Sequence, residues 1–149
     1  MSDDLTIELR HKTDYRFEID FDHGHSPTLL TDLGPPLGAA AGPDPEKLLA
    51  SAVATCLSSS LLFALRKHGN DAPPMQTVAT PVLARNDQKR LRVAQIDVEI
   101  RLGVPAASLK GLERVLASFE DFCVVTQSVR AAVPVNVRIV DGTDAVLAG

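Results

Sequence analysis

The residues of this chain best suited to chemistry are two thiols, Cys56 and Cys123, the only cysteines among its 149 residues. A cysteine acts as a nucleophile or redox centre through its thiolate, which a nearby cation or a helix N-terminus favours. Cys56 lies a dozen residues past Asp44, the expected cap of its helix, so that helix's dipole helps it little and a separate cation has to come from elsewhere. The acidic start Met1-Ser2-Asp3-Asp4 lacks the basic residues and apolar stretch of a secretory signal, which points to the cytoplasm. A static structural disulfide is not expected in that reducing compartment. Two roles stay open for the thiols, then: small buried hydrophobes, as free cysteine often is, or a reactive pair.

Other constellations are weaker. His23 and His25 share a polar turn, but no Cys-x-x-Cys or His-x-x-x-His spacing accompanies them, so a zinc site is not expected. Gly34, Gly38 and Gly42 sit among prolines and follow no strand in the manner of a phosphate loop. Asp97, Glu99 and Arg101 read as a solvated strand face, and Ser58, Ser59 and Ser60 as a small surface that lets another helix approach closely. A net charge of −4 and a pI near 5.5 argue against nucleic acid or an anionic membrane as the main partner. A hydrophobic content of 45% with 23% charged residues suits one globular domain, residues 1–149.

The element that must position Cys56 is a long helix between Asp44 and Gly69. Asp44 is a natural cap, Pro45 suits the first helical position, Glu46 lies in the first turn, and Gly69 follows Arg66, Lys67 and His68 as a stop. Leu48, Leu49, Val53, Leu57, Leu61, Leu62, Phe63 and Leu65 leave no broad polar face, the mark of a helix covered on most sides by protein. Ser51, Thr55 and the serine run, with charge at both ends, make it a core helix and not a membrane span. It would run roughly 35 Å at about 1.5 Å per residue, so a second copy of the chain is expected to help cover it.

Before this helix, Leu5 to His11 and Tyr15 to Phe21 alternate as a hairpin, with Tyr15, Phe17, Ile19 and Phe21 on one face and Arg16, Glu18 and Asp20 on the other. Thr28 to Thr31 is a short third strand, and Gly34 to Asp44 a loop. After the helix come strands at Thr77 to Arg85 and Leu91 to Leu102, an amphipathic helix from Pro105 to Phe119, a short helix from Cys123 to Ala131, and a strand from Val133 to Val140.

Pro45-Glu46-Lys47-Leu48-Leu49-Ala50-Ser51-Ala52-Val53-Ala54-Thr55-Cys56 resembles the first cysteine motif of the OsmC family, which includes the organic hydroperoxide resistance proteins. Phe122-Cys123-Val124-Val125-Thr126-Gln127-Ser128-Val129 resembles the second, and the order of elements matches over nearly the whole chain. Arg16 stands within Tyr15-Arg16-Phe17-Glu18 and not among glycines, and Val124 stands where proline is common, so the resemblance is to the broader OsmC-like branch. It implies an α+β fold of antiparallel sheets wrapped around a long central helix, an intertwined homodimer, and a thiol peroxidase. Cys56 would be the peroxidatic thiol, Cys123 the resolving thiol, Arg16 the catalytic arginine, with Arg10 as fallback, and Glu46 the carboxylate that holds it. Glu46 and Cys56 would lie roughly 80° and ~15 Å apart on a straight helix. Glu46 would therefore act through an arginine, across a dimer, or from ahead of the regular helix.

The expected activity is reduction of a small apolar organic hydroperoxide without metal or organic cofactor. Cys56, its thiolate favoured by Arg16, would become a sulfenic acid, Cys123 would resolve it to a disulfide, and an external dithiol of lipoyl or thioredoxin type would reduce the pair. Two rivals remain: a non-enzymatic apolar-ligand-binding or redox-sensing dimer, and a thioesterase-like hydrolase in which Glu46 activates water.

Overall fold

The computed structural model describes residues 5–149, which divide into two compact units, one ending at Leu48 and the other Leu49–Gly149. The first unit is a three-stranded antiparallel sheet in the order β1 (Glu8–His11), β2 (Phe17–Asp20), β3 (Leu29–Thr31). Glu8 pairs with Asp20 and His11 with Phe17. The hairpin turn closes through Lys12 N–H to the Arg16 carbonyl at 3.0 Å and Arg16 N–H to the Thr13 carbonyl at 2.8 Å. Arg16 thus ends the turn instead of lying inside the strand. Ile19 is buried, but Tyr15, Phe17 and Phe21, expected in an apolar layer, are exposed, while Asp20 on the opposite face is buried.

Asp32, just after β3, organises the loop toward the long helix. Its side chain accepts the N–H of Leu33 at 2.8 Å, Ala39 at 3.1 Å and Ala41 at 3.0 Å. Gly38 is required there, because a Cβ would run into the Asp32 carboxylate and the Leu33 carbonyl. The loop ends at Asp44, whose Oδ1 accepts the Lys47 N–H at 2.9 Å and caps helix α1, Pro45–Lys67.

The second unit contains most of α1 and a four-stranded sheet in the order β4 (Met75–Arg85), β5 (Leu91–Leu102), β6 (Val135–Val140), β7 (Val146–Ala148). The neighbours β4 and β5 are antiparallel. The pair β5 and β6 is parallel, which corrects the expectation of wholly antiparallel sheets. A parallel pair needs a long crossover, and the helical segment between these strands supplies it. The expected helix from Pro105 to Phe119 is broken into a 3-10 turn at Ala106–Ser108, helix α2 at Leu112–Ser118 and a second 3-10 turn at Phe119–Phe122. Gly111 makes the break at φ +63°, where a Cβ would also stand 2.9 Å from His68 Nδ1. Helix α3, Val124–Arg130, follows directly.

The core of this unit joins Ala50, Val53, Leu57, Leu61 and Leu65, one stripe of α1, to Ile96, Val98, Ile100 and Leu102 of β5, with Val115, Phe119, Cys123, Val135 and Ile139. The α1 residues recur at intervals of three and four, so they form one face of the helix. By length and composition α1 would suffice to cross a membrane, but this stripe is buried against β5.

Candidate active site

Cys56 immediately precedes Leu57 of the buried stripe, so it sits at the margin of that face, half-buried. Cys123 is fully buried and forms the N-cap residue of α3. The structure places the two side chains beside one another although 67 positions separate them in sequence. The Cys123 thiol also donates to Thr126 Oγ1 at 2.8 Å. Burial, reinforced by the neighbouring Cys56 thiol, pushes Cys123 above the usual thiol range, while the hydroxyl and N–H of Thr126 oppose that shift. An accessible thiol beside a buried one is an arrangement suited to making and breaking a disulfide.

Arg16 and Glu46 belong to the first unit. The ion partner of Arg16 there is Asp32, with Nε 3.3 Å from Oδ2, not Glu46. The Asp32 side chain is 1% exposed. The N–H groups of Ala41 and Ala39, then Arg16 and the Leu33 N–H, hold its carboxyl below the usual range against the opposing effect of burial. Asp32 is not among the site residues that the sequence singles out. Its signal in the sequence is an aspartate opening a loop of Gly, Pro and Ala, where a carboxylate commonly gathers loose N–H groups. Glu46 lies in the first turn of α1, which is regular from Pro45 onward, so Glu46 does not stand ahead of the helix. The fallback, Arg10, is occupied by carboxylates, at 2.9 Å from Glu8, 3.9 Å from Glu18 and 3.7 Å from Asp20.

The acidic strand face is a solvated ionic lattice, as its alternation suggested. Asp97 accepts from Asn136 at 2.8 Å and from Gln95 at 3.0 Å, and Glu99 meets Arg101 at 3.3 Å and Arg138 at 3.2 Å. Asp97, Glu99, Asn136 and Arg138 line a hollow of about 520 Å³ with Val78, Thr80 and Gly149, none of them a cysteine. Ser58 donates to the Ala54 carbonyl at 2.8 Å and shares a 2.6 Å bond with Thr77. Among the described residues no cluster of three or more His, Cys, Asp or Glu side chains could hold a metal.

An α+β chain with two sheets, one long helix and a pair of adjoining thiols defines a recognisable class. An OsmC-like protein of unknown function from Vibrio cholerae shares this fold with a TM-score of 0.77 over 94% of this chain and 100% of its own, at 19% identity. The organic hydroperoxide resistance protein OhrB of Bacillus subtilis aligns with a TM-score of 0.66 over 91% of this chain and 97% of its own, at 17% identity. An organic hydroperoxide resistance protein OsmC from Legionella pneumophila gives 0.64 over 91% and 96%, at 16% identity. No curated protein matches by sequence. The family model described as OsmC-like protein matches residues 38–138, and the chain belongs to that family.

Proposed function

We propose that this protein is a cysteine-based peroxidase that reduces organic hydroperoxides. The observation that carries the reading is the proximity of the half-buried Cys56 thiol to the buried Cys123 thiol. The Cys56 thiolate attacks the distal oxygen of the hydroperoxide, forming an S–O bond as the O–O bond breaks. The departing alkoxide takes a proton and leaves as the alcohol. Cys123 then attacks the Cys56 sulfur, forming the S–S bond and expelling hydroxide, which takes up the Cys123 proton as water. An external dithiol of lipoyl or thioredoxin type returns both thiols by exchange.

Arg16 is the cation assigned to the first step, on its match to the family's arginine, with Asp32 as the carboxylate that holds it and Glu46 assigned a supporting role only on its match to the family's motif. An apolar substrate suits the setting. Phe122 and Val124 flank Cys123 with 73% and 75% exposure, and Phe63 follows Cys56 by two helical turns at 67% exposure. Covering these with an alkyl chain would contribute about 0.8 kcal/mol per buried methylene. The same exposed side chains, with Tyr15, Phe17 and Phe21, support an intertwined homodimer, as does a groove of about 350 Å³ lined by Ser51, Ala54, Thr55, Ser58, Ser59 and Thr77 on α1 and β4. The family match takes in parts of both units, which supports reading them as one OsmC-like domain, here assigned to the cytoplasm.

Cys123→Ser tests the chemistry. It is expected to consume one equivalent of an alkyl hydroperoxide and stop with Cys56 as a sulfenic acid, captured by dimedone and located by mass spectrometry. Absence of the adduct at Cys56 would reject the reading.

A further inference from the structure

Helix α3 places a hydroxyl where an apolar side chain would be the ordinary choice. Thr126 is fully buried, like Cys123. Its neighbours Val125 and Val129 pack against the same apolar core. Burying a hydroxyl among such residues is unfavourable unless it is hydrogen-bonded, and a valine of the same shape would fill the space without that demand. The partner Thr126 has is the sulfur of Cys123, whose Sγ lies 2.8 Å from Oγ1. The Cys56 thiol neighbours that sulfur as well, so it lies between a group that will be oxidised and a group that cannot be.

We propose that Thr126 is the positioning residue of the resolving step, its buried hydroxyl holding the Cys123 sulfur where it can attack the oxidised sulfur of Cys56. The inference deepens the peroxidase reading and rests on its assignment of Cys123 as the resolving thiol. A hydroxyl serves both stages of the step, because it accepts from the thiol beforehand and donates to the sulfur once the proton has gone. The help is needed, since burial and the Cys56 thiol disfavour the Cys123 thiolate, while the hydroxyl and N–H of Thr126 favour it. Valine would keep the packing and lose the hydroxyl. Serine would keep the hydroxyl and lose a methyl group.

The test uses Ellman's reagent as oxidant, so it does not depend on hydroperoxide turnover. Cys56 attacks the reagent's disulfide and releases one thionitrobenzoate, leaving a mixed disulfide. Cys123 then attacks the Cys56 sulfur, the protein disulfide forms, the proton passes to solvent, and a second thionitrobenzoate departs. Thr126→Val is expected to leave the first release at the wild-type rate and slow the second by roughly tenfold to a hundredfold, the size of a lost hydrogen bond to a charged group. Thr126→Ser is expected to restore the second release to within a few-fold of wild type. Thr126→Ala makes the same comparison with serine should the valine variant fail to fold. A second release at the wild-type rate in the valine or alanine variant would overturn the proposal. So would a serine variant as slow as valine, which would assign Thr126 to packing alone. Slowing of the second release in a protein that consumes no hydroperoxide would reject the peroxidase reading and leave Thr126 as the positioner of a redox dithiol.

Discussion

Oxidising the thiol pair should change the stability of the protein by an amount that the chain itself sets. A disulfide between Cys56 and Cys123 would close a loop of about 67 residues. In the chain-entropy description, closing a loop of that length removes roughly 15 cal/mol/K from the unfolded ensemble, worth about 4 kcal/mol at 25 °C. The two thiols are neighbours in the reduced protein, so large rearrangement is not needed, and the chief loss is the bond from Cys123 to Thr126, about 1 kcal/mol. A net gain of about 3 kcal/mol should raise the melting temperature by roughly 6 to 12 °C for a chain of this size. The assay is thermal unfolding by circular dichroism of the fully reduced protein and of protein oxidised with diamide, with intact mass confirming the loss of two hydrogens within one chain. Cys56→Ser treated in the same way should melt at one temperature in both conditions. Equal melting temperatures for the reduced and the intramolecularly oxidised wild type, or a disulfide that forms only between chains, would refute the reasoning.

Other outcomes follow from the remaining site residues and from the open surfaces. Arg16→Met should slow the first hydroperoxide step by roughly 10²- to 10³-fold, the usual consequence of removing one electrostatic stabiliser of a developing charge. Asp32→Asn should slow it more than Glu46→Ala, because Asp32 is the carboxylate paired with Arg16; single-turnover consumption at wild-type rates in both Arg16→Met and Asp32→Asn would remove Arg16 from the site. Asp141, held at about 2 chiefly by the Thr143 hydroxyl and the Ala106 N–H, has a folded value below its unfolded one. Its stabilisation should therefore be complete above pH of about 4 and disappear as pH falls toward 2. Urea midpoints of Asp141→Asn should lack that part of the acid slope, and a slope parallel to wild type would contradict the assignment. The proposed homodimer should bury more than about 2,000 Å² in total, as obligate homodimers do, and a monomeric mass by light scattering at micromolar concentration with native circular dichroism would exclude it.

Much of this architecture could be read from periodicity and caps. Asp44, Pro45 and Gly69 bracket α1 because capping is local chemistry, and the alternation of Ile96, Val98, Ile100 and Leu102 marks the buried face of β5 because the strand period is two. The same reasoning failed where a long-range choice decided the outcome. The apolar pattern from Leu109 to Phe119 fits one helix, but Gly111 adopts a positive φ against His68, a contact no local pattern reveals. The direction of β6 depends on how the helical segment crosses over, and Val146–Ala148 is too short to show a period. At the site, Cys56 and Cys123 were legible as residue types, and the resemblance supplied a reason to pair them. Asp32 and Thr126 were not legible as site residues, because an aspartate in a loop and a threonine in a short helix are ordinary until their partners, Arg16 and Cys123, are seen.

Cys56 is the residue proposed to carry the chemistry, and steady-state consumption of a fatty-acid hydroperoxide by wild type and Cys56→Ser, with excess dihydrolipoamide as reductant, is the decisive measurement. A hydroxyl at position 56 cannot replace a thiolate as nucleophile near neutral pH. Turnover by wild type and none above the uncatalysed background by Cys56→Ser is the predicted result; equal turnover by the two proteins, or no consumption by either, would contradict the account.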